Sequence, residues 1–135
     1  MYLLDTNVCI AVINGTPQSV SRRFDSEVLV GVEVCVSSVS AFELYDGIEK
    51  SLRREFNERR LKTFLGGAMR VLPFVEEDAA CAGELRAALE KRGSRIGPYD
   101  ILIAGQALAR GLVMVTHNVR EFARVPKLKL EDWQS

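Results

Sequence analysis

Short apolar runs, several of them β-branched, punctuate the chain at Tyr2 to Leu4, Val34 to Ser37, Arg70 to Phe74, Leu112 to Thr116 and, more weakly, Lys127 to Leu130. Runs of this length and composition predict strands. Stretches with apolar residues at helical spacing fill the intervals. They run from Thr6 to Ile13, closed by the Asn14-Gly15 breaker; from Pro17 to Phe24, opened by a proline suited to a helix start; from Ser40 to Leu52; from Glu55 to Leu65; from Glu76 to Arg92, closed by Gly93; and from Pro98 to Ala109, closed by Gly111. In the fifth, Ala80, Leu85 and Leu89 are expected to share the inward face. The sixth carries Ile101, Leu102, Ala104, Ala107 and Leu108 and reads as a buried helix. Strands alternating with helices, joined by right-handed crossovers, predict an α/β fold with a central, mostly parallel β-sheet flanked by α-helices. No repeat, low-complexity tract or long linker divides the 135 residues, so residues 1–135 form one domain.

Ligands of such sheets bind beyond the carboxyl ends of the strands. Four oxygen-bearing side chains fall in those places: Asp5 after the first strand, Glu43 after the second, Asp100 at the opening of the apolar helix, and Asn118 after the fourth strand. Each has a plain structural reading as well. Asp5 is a good helix N-cap, as are Thr6 and Asn7. Ser40 and Glu43 match a capping box. Asp100 gains from the positive end of its helix, and Asn118 suits a turn. Yet a carboxylate beside a buried helix is costly without a partner. The set together makes a ready site for Mg²⁺, with Mn²⁺ as a substitute, because these hard cations prefer oxygen ligands.

Composition narrows the chemistry. Eighteen basic and eighteen acidic side chains leave no net charge, so the chain lacks the global signature of a nonspecific nucleic-acid binder. Locally, Lys50, Arg53, Arg54, Arg59, Arg60 and Lys62 outnumber Glu55 and Glu58, which reads either as a solvated helix face or as an RNA-contact patch. Arg92 and Arg95, shortly before Asp100, form a second basic group. Cys9, Cys35 and Cys81 lie in apolar segments without paired spacing, and are expected to be reduced core residues of a cytoplasmic protein. No stretch reaches the roughly 20 apolar residues of a membrane span. His117 is the sole histidine, too few for a metal-free acid–base pair, and its loop position suggests a rim residue. A phosphate-binding Gly-Lys-Ser/Thr loop is absent.

Four segments in order resemble the acidic-site motifs of PIN-domain nucleases, and of VapC toxins in particular. They are Leu3-Leu4-Asp5-Thr6-Asn7, Ser37-Ser38 leading to Glu43-Leu44, Gly97-Pro98-Tyr99-Asp100-Ile101-Leu102-Ile103-Ala104, and Leu112 through Thr116-His117-Asn118-Val119-Arg120-Glu121-Phe122. The likeness continues through Val125-Pro126 to Glu131-Asp132-Trp133, so it spans essentially the whole chain. The resemblance implies a single PIN-like domain and metal-dependent hydrolysis of RNA phosphodiesters. It places the metal-binding acids on Asp5 and Asp100, a third carboxylate on Glu43 as ligand or base, and supporting groups on Thr6, Asn7 and Thr116. Asn118 stands where many PIN domains have an aspartate, which removes a charge and puts a second ion in doubt. The resemblance also implies a VapB-type antitoxin partner, operator DNA bound only through that antitoxin, and a homodimer. The Gly97-Pro98-Tyr99-Asp100 motif is similar to that of the enteric VapC group that cuts initiator tRNA in its anticodon stem-loop.

Two rival readings stay open at this level. One is a catalytically weak PIN-like subunit that acts mainly as the antitoxin's partner in a DNA-bound repressor complex, which the missing fourth acid favours. The other is a phosphatase with an aspartate nucleophile after the first strand; its usual Asp-x-Asp pattern is not met by Asp5-Thr6-Asn7.

Overall fold

Alternation along each strand sends neighbouring side chains to opposite faces of the sheet, and two cores result. In the computed structural model, which describes residues 1–134, Leu3, Cys35 and Met114 join Leu85, Leu89, Ile101, Ile103, Ala104 and Ala107 in one buried cluster. Leu4, Val34, Val36 and Val115 join Val8, Val20, Leu44, Ile48 and Leu61 in the other. The elements run β1 (Tyr2–Leu4), α1 (Thr6–Asn14), α2 (Gln18–Leu29), β2 (Val34–Ser37), α3 (Ser38–Glu49), α4 (Arg54–Leu65), β3 (Arg70–Leu72), α5 (Glu76–Lys91), α6 (Pro98–Arg110), β4 (Val113–Val115), α7 (Val119–Phe122) and β5 (Lys129–Glu131). The five strands lie in the order β3-β2-β1-β4-β5, and every pairing is parallel. From β1 the chain first builds outward through β2 and β3, then returns to add β4 on β1's other side. The carboxyl ends of β1 and β4 therefore flank the topological switch point, where a crevice opens.

Several expectations need correction. Helix α2 runs to Leu29, well past Phe24, because an Arg23–Glu27 ion pair of 2.9 Å and the packing of Val28 carry it on. The inward stripe of α5 is Asp78, Ala82, Leu85 and Leu89, while Ala80 faces solvent. Cys9 and Cys35 are core residues, but Cys81 is only partly buried. The short α7 was not anticipated, and α3 begins at Ser38 rather than Ser40.

Helices α5 and α6 pack against each other very closely. A Cβ at Gly105 would fall 2.6 Å from both Cα and Cβ of Ala82, so the contact requires a glycine there. Beside it, Asp78 is 1% exposed and accepts from Arg110 (2.9 Å), from Gln106 (3.2 Å) and from the backbone N–H of Val75 (2.9 Å). Burial pushes this carboxyl up, but the hydrogen bonds and the charge of Arg110 outweigh it and hold it below the ordinary carboxylate range. A depressed carboxylate adds stability above its unfolded pKa and loses it as pH falls through the folded one. Arg110→Met is thus expected to lower stability at pH 7 by about 3 kcal/mol, since it strands a buried charge. In urea titrations that deficit should begin to shrink above the unfolded carboxylate value, where the stranded Asp78 of the variant takes up a proton, and go on shrinking below it as the parent's Asp78 does the same. A pH-independent deficit would show that Arg110 acts through packing alone.

Candidate active site

Asp5 follows β1 directly and caps α1, its Oδ1 accepting from the Val8 N–H at 2.8 Å. Its own N–H donates to the Val115 carbonyl at 3.0 Å, which fixes the cap against the end of β4. The capping reading therefore holds, and the cap fixes the Asp5 carboxyl at the strand edge. At 5% exposure the carboxyl is buried, and burial raises its pKa against the pull of the Thr116 hydroxyl and the Val8 N–H, with the Glu43 charge adding to the rise. Thr116 is itself buried and accepts from the Asn118 N–H at 2.9 Å, so it links the two strand ends.

The capping box expected for Ser40 and Glu43 is not formed. Ser37 caps α3 instead, accepting from the Val39 N–H at 3.1 Å, and Ser40 lies buried within the helix. Glu43 turns toward α1, where its Oε1 accepts from the Thr6 hydroxyl at 2.7 Å. Thr6 Oγ1 also lies 3.0 Å from Ser40 Oγ, so Thr6 ties α1 to α3.

Asp100 stands in the first turn of α6, after Gly97 and Pro98 at the helix start. A Cβ on Gly97 would lie 3.0 Å from Asp100 Oδ2, so the glycine makes room for the carboxylate. Burial first, then the charges of Glu121, Asp5 and Glu43, push this group up to about 6. Glu121 is the residue that sequence reasoning missed. It bears on Asp100 more strongly than any other acid, and it accepts from the Gly97 N–H at 3.0 Å and from Asn118 Nδ2 at 2.6 Å. The available signal was its place three residues after Asn118, which means a shared face only once α7 is known to be helical. Asn118 is exposed and opens α7.

The chain thus brings Asp5, Glu43, Asp100 and Glu121 to the carboxyl edge of β1 and β4. Among the described residues, none of these acids pairs with a lysine, arginine or histidine. Nor do three of them stand close enough to share one ion as they are placed. Next to them opens a cleft of ≈ 290 Å³ lined by Asp5, Asn7, Ile10, His117, Asn118 and Trp133. His117 sits at its rim with Nδ1 3.2 Å from Asp132. Mutually repelling carboxylates, one buried and three partly so, without a cationic partner suit a divalent cation, whose charge would relieve the repulsion.

The predicted basic groups fare differently. Lys50 pairs with Asp46, and Arg54 with Glu49 and Glu58. Arg60 holds Asn14 and the Ile13 carbonyl, while Arg53 stacks on Phe56 at 4.0 Å. Arg59 lines a shallow depression with Phe56 and Phe64. Arg92 binds the Arg124 carbonyl, and the side chain of Arg95 borders a separate pocket.

A switch-point crevice with clustered acids is the arrangement of a PIN domain, and the PIN-domain family model matches residues 2–128. The chain is 44% identical over 135 residues to the tRNA(fMet)-specific endonuclease VapC of Shigella flexneri, with 98% of this chain and 97% of that protein covered. It is 42% identical over 132 residues to the enzyme of the same name from Salmonella typhimurium, with the same coverage. Among solved structures, VapBC2 from Rickettsia felis bound to a DNA fragment from its promoter superposes with a TM-score of 0.91 at 36% identity, covering 98% of each chain. The chain belongs to the VapC ribonucleases, a branch of the PIN-domain nucleases, which use a divalent metal.

The raised pKa of Asp100 has a measurable consequence. A carboxylate raised by folding destabilises the native state increasingly as pH climbs from its ordinary value of 3.8 to about 6. Asp100→Asn is therefore expected to stabilise the metal-free protein at pH 7.5 by about 1–2 kcal/mol, with the gain vanishing near the ordinary carboxylate pKa. Added Mg²⁺ should raise the melting temperature of the parent chain and not that of the variant. A variant less stable than its parent at pH 7.5 would mean that Asp100 is compensated by a partner.

Proposed function

We propose that this chain is the toxin of a VapBC-type pair, an Mg²⁺-dependent endoribonuclease in which Mn²⁺ can replace Mg²⁺. The observation that carries the reading is the pair of carboxylates without a cationic partner, buried Asp5 and half-buried Asp100, brought to the switch point. Asp5 and Asp100 would hold the ion, with Glu121 beside Asp100 adding to the negative field. A divalent cation there supplies Lewis-acid activation of water and neutralises charge that builds on the phosphate during hydrolysis. Glu43, anchored by Thr6 through one oxygen, has the other available to orient the attacking water and take its proton. Thr116 and the helix ends hold Asp5 and Asp100 in place, and Asn7 faces the cleft where the substrate strand enters.

RNA contacts outside the acids fall to Lys50, Arg53, Arg54, Arg59 and Arg60, with Arg92 and Arg95 as a second group. Lys50 and Arg54 must exchange carboxylate partners for phosphates to take part, whereas Arg53 and Arg59 need not. The names of the Shigella and Salmonella relatives support initiator tRNA as the substrate. The Rickettsia complex supports a VapB-type antitoxin as partner, with promoter DNA reached through that protein, and we take the toxin itself to be a homodimer. No helix among the described residues is long and apolar enough to cross a membrane, in keeping with a cytoplasmic enzyme. The weak-subunit alternative loses its main support, because Glu121 supplies the charge that Asn118 lacks.

Asp5→Asn retains a good N-cap, so the variant should fold while cleavage drops by more than about 100-fold, beyond what groups that merely support metal ligands produce. Sequencing RNA ends after brief expression of the parent chain should show breaks confined to one tRNA. Breaks spread over messenger RNA would replace that target, and full cleavage by Asp5→Asn would remove the metal assignment.

Asn118→Asp tests the fourth position. It exchanges the Nδ2 donor of Glu121 for a like charge, so the metal-free protein should melt lower, while half-maximal cleavage should need less Mn²⁺. An unchanged Mn²⁺ titration places Asn118 outside the ion's field.

A further inference from the structure

Two exposed aromatic side chains adjoin Glu43 and Asp100 in the chain, and the hydrolytic chemistry derived above uses neither. Phe42 immediately precedes Glu43 on α3, and Tyr99 immediately precedes Asp100 in the first turn of α6. Their rings meet across the α3–α6 contact with centroids 5.6 Å apart and planes inclined at 55°. This lies within the range of favourable aromatic pairs. Unlike the core aromatics Phe122 and Trp133, at 1% and 3% exposure, Phe42 is 53% and Tyr99 44% exposed.

We propose that Phe42 and Tyr99 form a stacking platform that holds one unpaired base of the RNA substrate beside the phosphodiester to be cut. The proposal rests on the ribonuclease reading of the acidic cleft. Clustered carboxylates repel the phosphate backbone, so binding must draw on contacts that carry no opposing charge. A base has a π-face whatever its identity, and aromatic rings provide a sequence-tolerant surface for it. The rings are attached one residue from Glu43 and Asp100 on helices packed against each other, so a base seated on them has its register set relative to both acids. Lys50, the C-cap of α3, lies on the Tyr99 side of this contact and can give the adjoining phosphate a cation by exchanging its Asp46 partner.

The size of the patch also favours a base over a second copy of the chain. A whole Phe or Tyr presents about 150–250 Å², so the two rings, even with Tyr45 (40% exposed) one turn along α3, offer on the order of 300 Å², against the roughly 800 Å² per partner of a standard protein interface. A platform for an unstacked base further selects single-stranded loops, because bases paired in an RNA helix cannot turn onto it.

The test uses the purified free chain and a short single-stranded RNA carrying 2-aminopurine next to the cut site. In the Asp5→Asn background, which removes hydrolysis, binding should quench the 2-aminopurine fluorescence. Phe42→Ala and Tyr99→Ala should each abolish most of that quenching and weaken binding about tenfold. In the active chain the same substitutions should raise KM about tenfold and leave kcat and the Mg²⁺-induced thermal shift little changed. Phe42→Trp and Tyr99→Phe should recover quenching and affinity, which a merely structural role for the rings would not require. Unquenched 2-aminopurine in the RNA bound by Asp5→Asn overturns the platform even if the alanine variants misfold. So does an unchanged KM, or a fall in particle mass by light scattering that accompanies the loss of binding and marks the rings as a contact between copies. Absence of any RNA cleavage by the parent chain, by contrast, sinks the ribonuclease reading itself.

Discussion

Like charges gathered at one edge of the sheet dominate this molecule. Asp5, Asp100, Glu43 and Glu121 repel one another, and burial adds to the penalty on the first two. The fold compensates each locally with donors rather than with cations. Asp5 takes the first-turn N–H of α1, Glu43 the Thr6 hydroxyl, and Glu121 the Gly97 N–H, while Asp100 sits at the positive end of α6. These dipoles suffice to keep the carboxylates in place, yet they leave Asp100 with a pKa of about 6. The residual negative field at this edge is the one a divalent cation would relieve, and it costs the metal-free fold stability.

A second buried carboxylate shows the opposite solution. Asp78 on α5 is more deeply buried than Asp5, but Arg110 at the far end of α6 pairs with it and holds its pKa below the ordinary range. The same helix therefore carries an unpaired acid at its start and a paired cation at its end. The pair, together with the glycine-tight contact of Gly105 on Ala82, anchors α6 to α5. Rigid attachment at that end keeps the Asp100 turn in fixed relation to β1, which a site built from four separate segments needs.

Much of this was legible from residue pattern alone. The five strands and the long helices emerge from apolar periodicity because each buries a continuous stripe, and the sheet order then brings Asp5, Glu43 and Asp100 to one edge. What was not legible is local. The capping role passed from Ser40 to Ser37 because either serine satisfies the same rule and only tertiary contact with Thr6 decides where Glu43 turns. Helix α2 extends past Phe24 because the Arg23–Glu27 pair and Val28, one turn further along the Val20-Phe24 stripe, hold its later turns, whereas Asp25, Ser26 and Glu27 interrupt the apolar pattern in sequence. Helix α7, at four residues, is too short to show a period at all.

That last gap bears directly on function. Read as a loop, the segment after β4 offers Asn118 and thus a missing charge. As a helical turn, it puts Glu121 on the side of Asn118, where the amide of one donates to the carboxylate of the other at 2.6 Å. Glu121 then reaches back to Gly97, the residue that makes room for Asp100. A fourth negative charge thus stands near Asp100 one helical turn after Asn118, with the Asn118 amide as its donor. The neutral side chain at Asn118 therefore does not by itself leave this edge one charge short, because the helical turn of α7 brings the Glu121 carboxylate to bear on Asp100.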